Sequence, residues 1–171
     1  MLSKKMEKAL NQQINYEFYS AHLYLSMSAY FKSIDLDGFG HWMQVQYEEE
    51  IFHAMKFLAY IQNRDGRVQL EAIAKPPHDW KSPLTVFEDT YTHEQHVTSL
   101  INGLVTLANS EKDHATQNFL QWYIAEQVEE EANVKAIRSK LRFAGDSPST
   151  LFMLDQEMAK RIFTPPAPAA P

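Results

Sequence analysis

Along four long stretches of this chain, apolar side chains recur at three- and four-residue steps, the spacing that puts them on one side of a helix. The first stretch carries Leu10, Ile14, Ala21, Tyr24, Ser28 and Phe31. Ser3 stands ahead of it with a hydroxyl that can accept from the free amides of a first turn, which predicts a helix from there to about Lys32. After the short connector Ser33 to Gly38, the spacing predicts a second helix from about Asp37 to Arg64, with Met43, Gln46, Phe57 and Tyr60 facing inward and Asn63-Arg64-Asp65-Gly66 as its stop signal. So short a connector returns the second helix antiparallel beside the first.

From Arg67 to Lys81 the helical period disappears. Val68, Leu70 and Ala72 alternate with polar neighbours, and Pro76-Pro77 forbids helix. Roughly fifteen residues of extended chain exceed most loops of compact domains and can run the height of a bundle. The third helix then lies parallel to the second, an up-down-down-up arrangement with one crossover. Ser82-Pro83 starts it, a capping hydroxyl before a proline, and Phe87, Tyr91, Thr98, Ile101, Val105 and Ala108 carry its inner face to about Asn109. Asp113 caps a fourth helix to about Ala144, with Leu120, Tyr123, Val134, Ile137 and Leu141 inside. Gly145 stops it, and Ser147-Pro148 opens a short fifth helix to about Arg161 bearing Leu151, Leu154 and Met158. The prediction is one all-α bundle domain over residues 1–163. The Pro/Ala-rich tail 164–171 has nothing to bury and is expected to be disordered.

Every long stripe is broken near its midpoint by polar residues: Glu17 in the first helix, Glu50 with His53 in the second, Glu94 in the third, Gln127 with Glu130 in the fourth. Singly, such residues are commonly hydrogen-bonded core filler. In a bundle, however, the four midpoints meet at one level, and four buried carboxylates there repel each other severely. Two divalent cations cancel their charge, so a dinuclear metal site is expected. Mostly hard oxygen ligands with one imidazole suit iron or manganese. Beside them, Glu126, Glu129 and Glu130 crowd one patch of the fourth helix at i, i+3 and i+4, and Glu49 can approach it. Tyr24 lies two turns from Glu17, close enough to hydrogen-bond a ligand or supply an electron, and Trp122 stands one turn before Glu126. His93 and His96 are rotated off the Glu94 face and read as surface groups, and Glu48 and Glu131 are left to solvent.

Composition narrows the classes. A chain of 171 residues with 44% hydrophobic and 22% charged residues is an ordinary globular domain. A net charge of -6 argues against nucleic acid as the main partner and slightly for cations. With no cysteine, disulfides, iron-sulfur clusters, thiolate zinc and cysteine nucleophiles are excluded together. The first residues run into polar amphipathic sequence unlike a signal peptide, and no run approaches the ~20 apolar residues of a membrane span. A cytoplasmic location is the default expectation.

Three blocks add a resemblance: Asn15-Tyr16-Glu17-Phe18-Tyr19-Ser20-Ala21-His22-Leu23-Tyr24, Glu48-Glu49-Glu50-Ile51-Phe52-His53-Ala54, and Asn118-Phe119-Leu120-Gln121-Trp122-Tyr123 leading into Glu126-Gln127-Val128-Glu129-Glu130-Glu131. Over essentially residues 1–165 the sequence resembles the non-haem ferritins of bacteria and archaea, whose fold is the ferritin-like bundle with one crossover. The resemblance implies that Glu17, Glu50 and His53 hold one iron, that Glu50, Glu94 and Glu130 hold a second with Gln127 alongside, and that Glu50 bridges. It also implies a third iron site at Glu49, Glu126, Glu129 and Glu130. The implied activity is oxidation of Fe(II) by O2 or H2O2, with the ferric mineral kept inside a closed octahedral cage of 24 identical chains. Within that cage the resemblance puts the fifth helix at fourfold axes and the turn near Asn109 to Thr116 at threefold channels. In this sequence the fourth helix reads Gln127-Val128-Glu129-Glu130 without a second histidine, so the second iron should be held more weakly. Haem-carrying relatives have methionine directly after the bridging glutamate. Here that residue is Ile51, and no haem is expected. The rival reading is a diiron or dimanganese peroxidase resembling rubrerythrin or manganese catalase, weakened by the lack of rubredoxin-type cysteines.

Overall fold

The structure, a computed structural model, describes residues 1–145 and 147–165. It has five helices, α1 (Lys4–Ser33), α2 (Asp37–Asn63), α3 (Pro83–Glu111), α4 (His114–Ala144) and α5 (Pro148–Met158), and no strand among the described residues. The tail expected over 164–171 lies, from residue 166 onward, outside the described residues. No described helix is long and apolar enough to cross a membrane.

Each start signal works through a side-chain oxygen accepting from a first-turn amide, which would otherwise lack a partner. Ser3 accepts from Met6 at 2.9 Å, Ser82 from Thr85 at 3.2 Å, Asp113 from Thr116 at 3.1 Å and Ser147 from Thr150 at 3.4 Å. The exception is α2, whose leading residue, Leu36, has no such group. Asp155 of α5 supplies it instead, accepting from the Phe39 amide at 3.0 Å, and its charge suits the positive end of a helix. That approach requires glycine at position 38, since a Cβ there would lie 1.8 Å from the Asp155 carbonyl oxygen.

Helix directions follow from which residues share a core. One apolar cluster contains Tyr24, Met27 and Phe31 of α1, Phe39 and Met43 of α2, Phe87 of α3, Ile137 and Leu141 of α4, and Leu154 of α5. A second contains Met6, Leu10 and Ile14 of α1, Phe57 and Ile61 of α2, Ile101 and Leu104 of α3, and Leu120 and Tyr123 of α4. Helices α1 and α4 therefore run from the second cluster to the first, while α2 and α3 run the other way, the expected up-down-down-up order of a ferritin-like bundle. The crossover 64–82 lies along α1, whose polar side chains satisfy its backbone. Asn11 accepts from the Gln69 amide at 2.7 Å and donates to the Arg67 carbonyl at 2.9 Å, and Ser26 donates to the Pro77 carbonyl at 2.6 Å.

Two details differ from the sequence reading. In α3 Phe87, Glu94, Ile101 and Ala108 are buried as expected, but Thr90, Val97 and Leu104 complete the buried face while Tyr91, Thr98 and Val105 are half-buried. Helix α5 ends at Met158, so Arg161 belongs to the irregular segment after it.

Candidate metal centre

Between the two apolar clusters lies a polar layer. Glu17, Glu50, His53, Glu94, Gln127 and Glu130 are each at most 5% exposed. One side chain or pair comes from each long helix, placed there because the apolar stripe on either side carries it inward. Oxygen or nitrogen atoms of Glu17, Glu50 and His53 all lie within 4.8 Å of one another, the spacing of groups that could share an ion. His53 Nδ1 is 3.4 Å from Glu50 Oε2.

Three of the four carboxylates have neutral donors. Gln13 donates to Glu17 at 2.9 Å, Gln46 donates to Glu130 at 2.7 Å, and Glu94 receives both the Gln127 amide, at 3.1 Å, and the Tyr24 hydroxyl. Glu50 Oε2 is buried and accepts no hydrogen bond among the described residues. Such an orphaned carboxylate oxygen is costly unless a cation completes it. Burial, aided by the charge of Glu50, pushes the Glu17 carboxyl up to about 8. Burial first, then the charges of Glu94 and Glu130, raise Glu50 well above the ordinary carboxyl range. Glu130 is pushed up to about 7 by burial and by Glu94, against the pull of Arg161 and His53. Without a cation, these acids lower their mutual repulsion by holding protons.

The sequence profile of the Ferritin-like domain family matches residues 7–144. The chain belongs to the ferritin family. It is 44% identical over 161 residues to a bacterial non-heme ferritin of Bacteroides fragilis, covering 94% of this chain and all of that one. The identity is 45% over 156 residues to one of Campylobacter jejuni, covering 91% and 93%. Among solved structures, an open-pore ferritin of the hyperthermophilic archaeon Archaeoglobus fulgidus superposes with a TM-score of 0.94 at 54% identity, covering 95% of this chain and 99% of that one. A form of that archaeal ferritin engineered to close has a TM-score of 0.95 at the same 54% identity, covering 96% and 100%.

Beside the buried layer, this ferritin chain has a cleft of ≈ 250 Å³ lined by Glu49, His53, Trp122, Glu126, Glu129 and Phe163. Glu49 and Glu126 are half-buried, and Glu129 is exposed. Glu49 is paired with Arg161, yet its carboxyl is still pushed up to about 7, because desolvation outweighs the guanidinium. Trp122 stacks edge-on against His53, ring centroids 5.3 Å apart, with Lys56 Nζ 4.2 Å above the indole.

Two surface assignments change. His93 is half-buried, its ring 2.8 Å from the Ser20 hydroxyl and edge-on to Tyr24, and burial lowers it to about 4, so it is neutral at neutral pH. Glu131 accepts from the Thr98 hydroxyl at 2.6 Å instead of pointing to solvent, and Thr98 in turn accepts from Gln127 at 3.3 Å. Gln13 escaped the sequence reading although it lies one turn before Glu17, a spacing that could have flagged it. Arg161 offered no local signal, since its partners Gln46 and Glu49 are 115 and 112 residues away.

Proposed function

We propose that this chain is an iron-storage ferritin that oxidises Fe(II) at Glu17, Glu50, His53, Glu94 and Glu130, with Gln127 alongside. The observation that carries the reading is Glu50 Oε2, buried without a hydrogen-bond partner among the described residues in a layer with three further buried acids. Two ferrous ions neutralise four carboxylates, with Glu50 as the proposed bridge between them. Each ion gives up one electron. The pair reduces O2 with two protons to H2O2, or H2O2 with two protons to two waters. Two ferric ions with one oxide carry the same net charge as two ferrous ions, so the carboxylates balance both states with little rearrangement. The lack of a second imidazole favours release of the oxidised pair as mineral precursor over permanent retention. Glu49, Glu126 and Glu129 form the candidate third position on the way out.

Storage needs an enclosed volume, and we assign the chain to an octahedral, cytoplasmic cage of 24 copies. In support, Phe143, Phe152 and Met153 at the end of α4 and on α5 are 92%, 64% and 71% exposed on the single chain, an apolar surface that calls for a neighbour. The test is to add ferrous salt in air and measure particle mass with iron retained per particle. A 24-chain shell holding far more than two irons per chain is expected, with rapid oxidation lost when Glu50→Gln and His53→Ala are combined. Iron stopping at two per chain would leave the peroxidase reading, and unchanged oxidation in the double variant would remove the site.

A further inference from the structure

Beyond Met158 the chain lies against α2. Four contacts fasten it there. His41 Nε2 lies 2.9 Å from the Arg161 carbonyl oxygen, the Phe163 ring packs 5.8 Å from Phe52, and the Arg161 guanidinium sits 4.1 Å over the Trp42 ring. The fourth is the fork of the guanidinium, whose Nη1 donates to Gln46 Oε1 and whose Nη2 donates to Glu49 Oε2. The Arg161 and Glu49 side chains are only 16% and 15% exposed, so this ion pair is largely withdrawn from water.

Arginine has donors and no acceptor. Gln46 must therefore turn its oxygen toward Arg161, which leaves its NH2 group aimed at Glu130, 2.7 Å away. The hydrogen bonds run in one sense only, from Arg161 through Gln46 to Glu130. The same guanidinium spends its second arm on Glu49, one of the acids beside the open cleft. A planar fork stacked on an aromatic ring is well held and is not easily exchanged for another cation.

We propose that Arg161 is a positioning residue for Glu130, and that its guanidinium takes the place at Glu49 that a third iron ion would occupy, so a third ion enters only when the segment Ala159–Thr164 lifts. This rests on the iron reading above. Its consequence is that the end of the chain, far from the buried layer in sequence, sets how many ions the layer and its cleft hold together.

The full-length protein, stripped of metal, is titrated with Zn2+, which cannot be oxidised. Ions are counted by equilibrium dialysis and placed by anomalous diffraction. The wild type is expected to hold two ions in the buried layer and none at Glu49. Arg161→Gln should gain an ion at Glu49 bound at least tenfold more tightly than in the wild type, and should bind the ion at Glu130 about tenfold more weakly. Arg161→Lys, which restores the charge, should exclude the third ion again. A segment that merely bolts α5 in place would lower the melting temperature without changing the ion count, and that result would overturn the proposal. So would zinc at Glu49 in wild-type crystals with Arg161 still stacked on Trp42, a measurement that stands even if the variants do not fold. Absence of zinc from Glu17, Glu50 and His53 in every protein would instead overturn the iron reading, and this proposal with it.

Discussion

Tyr24 is fully buried and donates a hydrogen bond from its hydroxyl to Glu94, while His93 packs against its ring. Burial, then the charge of Glu94, hold the phenol well above its ordinary value, so it stays a donor at all physiological pH. Tyr24→Phe keeps the ring volume and removes one hydrogen bond to a carboxylate, worth ~1.5 kcal/mol. The expected outcome is an intact fold with about tenfold weaker binding of the second ferrous ion, read by anaerobic titration. A fall in the oxidation rate beyond what this affinity explains would point to an electron supplied by the tyrosine. At this scale the sequence disclosed the acids and hid their supports. Glu17, Glu50, Glu94 and Glu130 stood out because each interrupts an apolar stripe, whereas Gln46 looked like one more member of its stripe and Arg161 like the last turn of a helix. What distinguishes these two is a contact across more than a hundred residues, which no local spacing encodes.

Helix ends were legible for the same reason that they are stable: Ser3, Ser82, Asp113 and Ser147 each announce a first turn and each accept from it. The start of α2 was legible only in position, because its capping carboxylate comes from α5. Asp113 adds a pH-dependent element. Burial opposes its charge, but hydrogen bonds from the Thr116 hydroxyl and amide, together with Arg64, outweigh it and hold the carboxyl below its ordinary 3.8. A group depressed in the folded state stabilises above its unfolded pKa and loses that contribution as pH falls through the folded one. Asp113→Ala should therefore cost about 1–2 kcal/mol at pH 7. Chemical unfolding of both proteins should show the gap closing as pH drops below 3.8. A gap that persists at low pH would mean that packing, not the charge, is what the substitution removes. The burial of Thr90, Val97 and Leu104 in place of Tyr91, Thr98 and Val105 was not legible, since Tyr91 and Val105 are no more polar than the residues buried instead. Only the packing of α3 against α1 and α4 decides between them.

For the molecule as a whole, the two apolar clusters are continuous with the helices but not with each other, because the acid layer lies between them. Cations should therefore stabilise the fold well beyond their local contacts. An ion present at a hundred times its dissociation constant adds about 2.7 kcal/mol, which for a chain of this size raises the melting temperature by about 5 to 10 °C. Calorimetry of the metal-free protein with and without Zn2+ should show this rise, and the Glu50→Gln, His53→Ala protein should not. The bundle, its crossover and its chain directions were readable from periodicity, because they rest on burial. The proposed shell was not, because it would rest on side chains such as Phe143 and Phe152, which the single chain leaves exposed.

The acid layer also does something no apolar stripe can. Leucines and phenylalanines repeat along a helix, so a neighbour that slid by one turn, about 5.4 Å, would find similar side chains to lie against. The four glutamates do not repeat along their stripes. The pair of ions proposed between them would act as a pin through the knuckles of a hinge, fixing the longitudinal register of all four helices. The ion proposed as the molecule's reagent would then also gauge whether the molecule was assembled in step.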